Sequence, residues 1–164
     1  MILEAILMLS GVAAVGSVAN LFMKNKEVPK ESISIKKYMP GNLPIITLTN
    51  NGIALNFLID TGSNISHICP KVLKDIKYTV ENSNTSISGI GGMTNESAIC
   101  KAKFKDSLSK EYDIQLVISS SLEQSAECIK EATGVEVHGL LGTNFLQEYK
   151  YVINFDELSV YVKK

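Results

Sequence analysis

Two short apolar runs joined by a turn signal constrain this chain more than any other feature. Leu43-Pro44-Ile45-Ile46-Thr47-Leu48-Thr49 is followed by Asn50-Asn51-Gly52 and then by Ile53-Ala54-Leu55-Asn56-Phe57-Leu58-Ile59. Asn-Gly between runs rich in β-branched and apolar residues is the strongest short hairpin signal a sequence offers. The same texture continues downstream, and it predicts further strands at Thr85–Ile90, Ala98–Phe104, Tyr112–Ile118, Tyr151–Phe155 and Ser159–Val162. Three helical stretches interrupt it. Pro70–Ile76 has proline where a first helical turn accepts it. Leu122–Ala132 follows Ser121, with Gln124 completing a capping box and Gly134 as a stop. Asn144–Tyr149 is a third, short helix. The expectation for residues 43–164 is one all-β domain with short helices.

The N-terminus is written for a different solvent. From Ala5 to Met23 the chain carries no charge. As a helix this stretch covers roughly 28 Å, close to the hydrocarbon thickness of a bilayer. A cleaved signal peptide calls for basic residues ahead of the apolar run, and Glu4 is the only charge there. Residues 1–23 therefore read as an uncleaved transmembrane anchor. Lys24, Lys26 and Lys30 follow directly and, by the positive-inside rule, place the remainder in the cytoplasm. Residues 24–42 read as a juxtamembrane linker punctuated by Pro29 and Pro40-Gly41, with an alternating stretch at Ser32–Lys36 suited to an outer strand.

Composition narrows the chemistry. A net charge of −1, with lysines scattered among acids, gives no cationic face for nucleic acid. Cys69, Cys100 and Cys128 lie far apart and form neither a disulfide framework nor a zinc knuckle. His67 and His138 lack metal-ligand spacing, so no metal or cofactor is expected. Cys69 and Cys100 read as small core residues.

The chemistry-bearing segment is Asp60-Thr61-Gly62-Ser63, where an apolar strand hands a carboxylate to a sharp turn. A carboxylate at a strand end, beside hydroxyls and free N–H groups, is positioned rather than floppy. Alone, such a tetrapeptide arises often in turns. Its surroundings are more specific. Leu58-Ile59-Asp60-Thr61-Gly62-Ser63-Asn64-Ile65-Ser66 resembles the active-site loop of aspartic peptidases. Ile87–Met93 resembles the glycine-rich flap tip of the retropepsins, and residues 138–146 resemble the apolar-apolar-glycine segment that packs behind the catalytic loop. Tyr151–Phe155 resembles the strand leading to that family's C-terminal end. The landmarks occur in the family's order, and the resemblance implies a retropepsin-like acid protease fold.

That resemblance implies an aspartic endopeptidase acting as a homodimer, with Asp60 catalytic. Water activation in this chemistry needs two facing carboxylates, one ionised and one protonated. One Asp-Thr-Gly occurs here, and the chain has no room for a second lobe. The second aspartate is then Asp60 of the partner subunit. In this expectation Thr61 bonds across the dimer axis, Gly62 lets the backbone approach the carboxylate, and Ser63 bonds its outer oxygen. Gly142 permits close packing behind the loop, and Asn144 joins the same support. Gly89, Ile90, Gly91, Gly92 and Met93 fold over a peptide or protein substrate; glycines alone do not bind peptides, so an ordinary hairpin tip is the plain alternative. The stretch Ser119–Val137 is longer than in a minimal viral retropepsin. A second function stays open: a catalytically silent, dimeric binding or scaffold module of the same fold at the membrane.

Overall fold

The computed structural model describes residues 31–35, 43–88 and 94–162. The expected anchor at 1–23, most of the 24–42 linker and the glycine-rich tip at 89–93 lie outside the described residues. Among the described residues, no helix is long and apolar enough to cross a membrane.

The expected hairpin forms β2 (Ile45–Asn50) and β3 (Ile53–Ile59), paired antiparallel from Ile45↔Leu58 to Asn50↔Ile53. Its two turn residues, Asn51 at φ +50° and Gly52 at φ +82°, both occupy left-handed space. That is the turn whose twist matches the flanking strands. Asn50, read from the sequence as part of the turn, belongs to β2 and is buried. Its amide donates to the carbonyls of Lys77 and Lys103, each at 2.9 Å, and its oxygen accepts from the Lys77 N–H at 2.8 Å. One buried side chain thus ties three segments together.

The hairpin belongs to a seven-stranded sheet that includes β4 (Ser66–Ile68), β5 (Thr79–Ser88), β6 (Thr94–Lys105), β7 (Glu111–Ile118) and β8 (Gly139–Leu141). Strand order is β2-β3-β8-β4-β7-β6-β5, and β2 also meets β6 at Thr49↔Lys105, closing a barrel. The pairs β3–β8 and β4–β7 are parallel, the others antiparallel. Alternation fills the interior: Leu55, Phe57 and Ile59 from β3 meet Tyr112, Ile114 and Leu116 from β7. Phe57 and Phe104 pack edge to face, with ring centroids 5.3 Å apart.

A second, three-stranded sheet has the order β1-β10-β9, with β1 at Ser32–Ser34, β9 at Tyr151–Asn154 and β10 at Ser159–Val162. The outer strand expected within 32–36 is therefore part of the folded unit, and its Ile33 and Ile35 join the barrel core with Val160. The turn between β9 and β10 is opened by Asn154, whose oxygen accepts from the N–H groups of Asp156 and Glu157. An Asx side chain caps the N–H groups two and three residues after it, which is why Asn154 and not Asp156 opens this turn.

Pro70–Asp75 is a 3-10 helix, and α2 spans Thr143–Glu148. The longest helix among the described residues, α1, runs Ser121–Thr133 and ends as expected at Gly134, at φ +73°. The capping box expected of Ser121 and Gln124 does not form. Ser120 is the N-cap, without a side-chain cap bond, and the Ser121 hydroxyl pairs with that of Ser119 at 2.9 Å. The Ser119 N–H is already committed to Ile68 O, which fixes the entry to the helix from the barrel side. α1 packs Ala126 against Ile45, Cys69 and Val137, a small core separate from the barrel interior. Cys69 and Cys100 are buried, and burial pushes both thiols up to about 11, so they act as apolar filling.

Candidate active site

Parallel β3 and β8 run side by side to Ile59↔Leu141 and end together. The residues just past their ends are consequently adjacent: Asp60 after β3, Gly142 after β8. The Asp60 N–H donates to Leu141 O at 3.0 Å, and the preceding Ile59 N–H donates to Pro44 O at 2.8 Å. The aspartate is thus delivered by backbone bonds on both sides of its own strand.

Beyond it the chain turns on itself. The Gly62 N–H donates to Asp60 Oδ1 at 2.8 Å, and the Ser63 N–H to Asp60 O at 3.3 Å. Gly62 does not use left-handed space. Its contribution is room, because a Cβ there would stand 3.1 Å from Asp60 Oδ1. Asp60 is half-buried, while Thr61 and Gly62 are exposed.

The segment after β8 clamps this turn. Thr143 donates to Ser63 O twice, from its N–H at 2.8 Å and from its hydroxyl at 3.2 Å. The Gly142 N–H donates to Ser66 Oγ at 3.0 Å, and that hydroxyl donates to Asn144 Oδ1 at 2.8 Å. Gly142 lies so close to the loop that a Cβ would sit 2.5 Å from Ile65 O. Residues 60–66 and 141–144 are therefore one hydrogen-bonded unit.

The structure brings together Asp60, Gly62, Ser63, Gly142 and Asn144, and leaves Thr61 exposed beside them. Ser63 departs from expectation: its hydroxyl donates to Ile65 O at 2.7 Å instead of reaching the carboxylate. The tight turn aims the hydroxyl along the loop, and the Gly62 N–H takes the place at the carboxylate. Gly89, Ile90, Gly91, Gly92 and Met93 lie outside the described residues, though Ser88↔Thr94 pairing brings β5 and β6 to either side of them.

Sequence reasoning passed over Ser66, Thr143 and His67. Ser66 and Thr143 supply the bonds that join the two segments. No spacing along the chain marks Ser66, whose partners Gly142 and Asn144 lie more than 70 residues on. His67 is half-buried. Its imidazole is pushed below the usual histidine range by burial, with Asp60 opposing that shift. Two other aspartates have their own occupations. Buried Asp106 accepts from Leu108 N, Lys110 N and the Tyr112 hydroxyl, and Asp113 pairs with Lys101 on the surface.

A family model described as aspartyl protease matches residues 46–145, a span that takes in Asp60, the 89–93 tip and Asn144. Comparison with curated proteins gives no match. Among solved structures, the EIAV protease complexed with the inhibitor HBY-793 is similar. It is 21% identical, with 65% of this chain and 88% of that one covered and a TM-score of 0.47.

Proposed function

The chain belongs to the aspartyl protease family, and from that premise we propose that it is an endopeptidase working through two Asp60 carboxylates, one from each of two identical subunits. The observation that carries the reading is the clamped Asp60: one carboxylate oxygen is held by the Gly62 N–H, and the loop beneath is fixed by the segment after β8. Preorganisation of this kind suits a group that must hold a water in reacting position.

In the mechanism, one Asp60 takes a proton from the shared water as its oxygen attacks the scissile carbonyl carbon. The partner subunit's Asp60 gives a proton to the carbonyl oxygen, forming a tetrahedral diol. Collapse of that diol breaks the C–N bond, and a proton passes to the leaving nitrogen. No acyl-enzyme forms. Thr61, exposed at the turn, is the group offered across the dimer axis, and residues 89–93 cover the bound peptide.

The second subunit has a natural seat. β9 pairs with β10 on one edge and with no other strand among the described residues, and Phe155 just beyond it is 57% exposed. An open edge of this kind accepts another strand. The apolar stretch 5–23 tethers both copies to one membrane, with the peptidase part on the cytoplasmic side.

The test is full-length protein against a peptide library from acidic to neutral pH, beside Asp60→Asn. Activity is expected to fall by about 10²–10⁴-fold in the variant. Its melting temperature is expected to stay close to that of the parent. Equal cleavage by both proteins would remove the mechanism. A dimer in which neither form cleaves would favour a binding or scaffold module instead.

A further inference from the structure

Strand register assigns neighbours to the candidate catalytic carboxylate. Leu58 of β3 stands beside Leu140 of β8, Leu140 beside His67 of β4, and His67 beside Val117 of β7. Paired residues project from the same side of a sheet, as do residues two apart along a strand. Asp60, two residues past Leu58, therefore leaves β3 on the face that carries Leu58, Leu140 and His67. All three are half-buried, whereas Phe57, Ile59 and Leu141 on the opposite face are buried in the barrel core.

The two histidines of the chain are used differently. His138 Nδ1 accepts the Asn56 N–H at 3.0 Å, so that imidazole is built into the fold. The His67 ring makes no hydrogen bond among the described residues. β8 and β7 present Leu140 and Val117 to it, and Asp60 at the end of β3 is the charged group that acts on it there. A polar ring set into an apolar wall, with its nitrogens uncommitted, is the arrangement by which a pocket fixes the identity of what it binds.

Resting on the reading of Asp60 as the catalytic group, we infer that His67 determines specificity, selecting peptides with an acidic side chain close to the scissile bond. A carboxylate gains most from this wall, because a charge-assisted hydrogen bond is shorter and roughly twice as strong as a neutral one. A basic side chain meets an imidazolium of like charge, and an aliphatic one leaves the ring nitrogens unpaired. Burial lowers the affinity of His67 for its proton, and a bound carboxylate, like Asp60, opposes that. Binding an acidic peptide therefore draws a proton onto the ring, and the preference strengthens as pH falls from neutrality into the imidazole range.

The test uses full-length Asp60→Asn protein in detergent micelles, so that binding is read without turnover. Blocked octapeptides carrying Glu, Gln or Leu at each of the four central positions are titrated at pH 5.5 and 7.5. The same set is offered to proteins that also carry His67→Leu or His67→Gln. At one position Glu is expected to bind about tenfold more tightly than Gln at pH 5.5, the equivalent of one pKa unit of coupling. The margin is expected to shrink at pH 7.5, to vanish in His67→Leu and to lose its pH dependence in His67→Gln. Equal binding of Glu and Gln peptides at every position, including no binding of either, overturns the inference, as does a margin that survives His67→Leu. Cleavage by protein with Asp60 intact is scored separately. Acid-selective binding that needs His67, without any turnover, sinks the peptidase reading and supports this one. Turnover without a Glu preference does the reverse.

Discussion

At the scale of single residues, Asp60, Gly142 and Asn144 were legible because each sits in a local pattern: strand then turn, or apolar pair then glycine. Ser66, Thr143 and His67 were not, since their partners lie across the sheet and no spacing along the chain points to them. The Ser63 hydroxyl shows the limit of a motif, which names the residue but not the rotamer. His138 carries a prediction of its own. Its Nδ1 accepts a backbone N–H, which only the neutral ring can do. Burial first, then Lys71, lower its proton affinity, while Glu136 opposes them. The unfolded chain, with histidine near its ordinary value of 6.5, then binds the proton more readily. The stability this provides is complete above that value and is lost as pH falls through the lower folded one. His67 adds to the loss in the same direction. Thermal unfolding followed between pH 7.5 and 5 should show falling stability. His138→Asn, which keeps an acceptor but cannot take up a proton there, should flatten the slope. An unchanged slope in that variant would count against the argument.

Among the elements, the long strands and all three helical stretches could be read, because alternation and turn residues repeat often enough to register. β4 and β8 could not. Three residues each, Ser66–Ile68 and Gly139–Leu141 are too short to display a period, and both are strands only because neighbours on either side pair with them. These two hidden strands build the site, since β8 carries the segment that clamps Asp60. Gly142→Ala tests that clamp. The added Cβ meets the Ile65 backbone, which cannot swing aside as a side chain would. A loss of about 1–3 kcal/mol in denaturant unfolding is expected, typical of an overpacked contact. Peptidase activity should fall further than stability alone accounts for, because the loop holding Asp60 must shift. Full activity with normal stability would mean the close packing is not needed.

For the whole molecule, the prediction concerns assembly. If activity requires two copies, specific activity must decline on dilution, and in the dilute limit the rate must follow the square of chain concentration. If residues 1–23 confine both copies to one membrane, removing them should bring that decline to higher concentrations, because confinement to one surface raises effective concentration. A dilution series of reconstituted and truncated protein measures both effects, and constant specific activity throughout would exclude the dimer mechanism. By itself the sequence determined the strand-rich character of the domain, the hairpin that starts it and the turn that carries Asp60. All three come from periodicity, turn chemistry and local motif, which act between near neighbours. Only the tertiary structure decided which strands lie in parallel, what clamps the Asp60 loop and which side chains share the face of Asp60. Parallel pairing joins segments far apart in the chain, as Ser66↔Leu116 and Phe57↔Gly139 do, and no local preference records a register fixed by packing across the barrel.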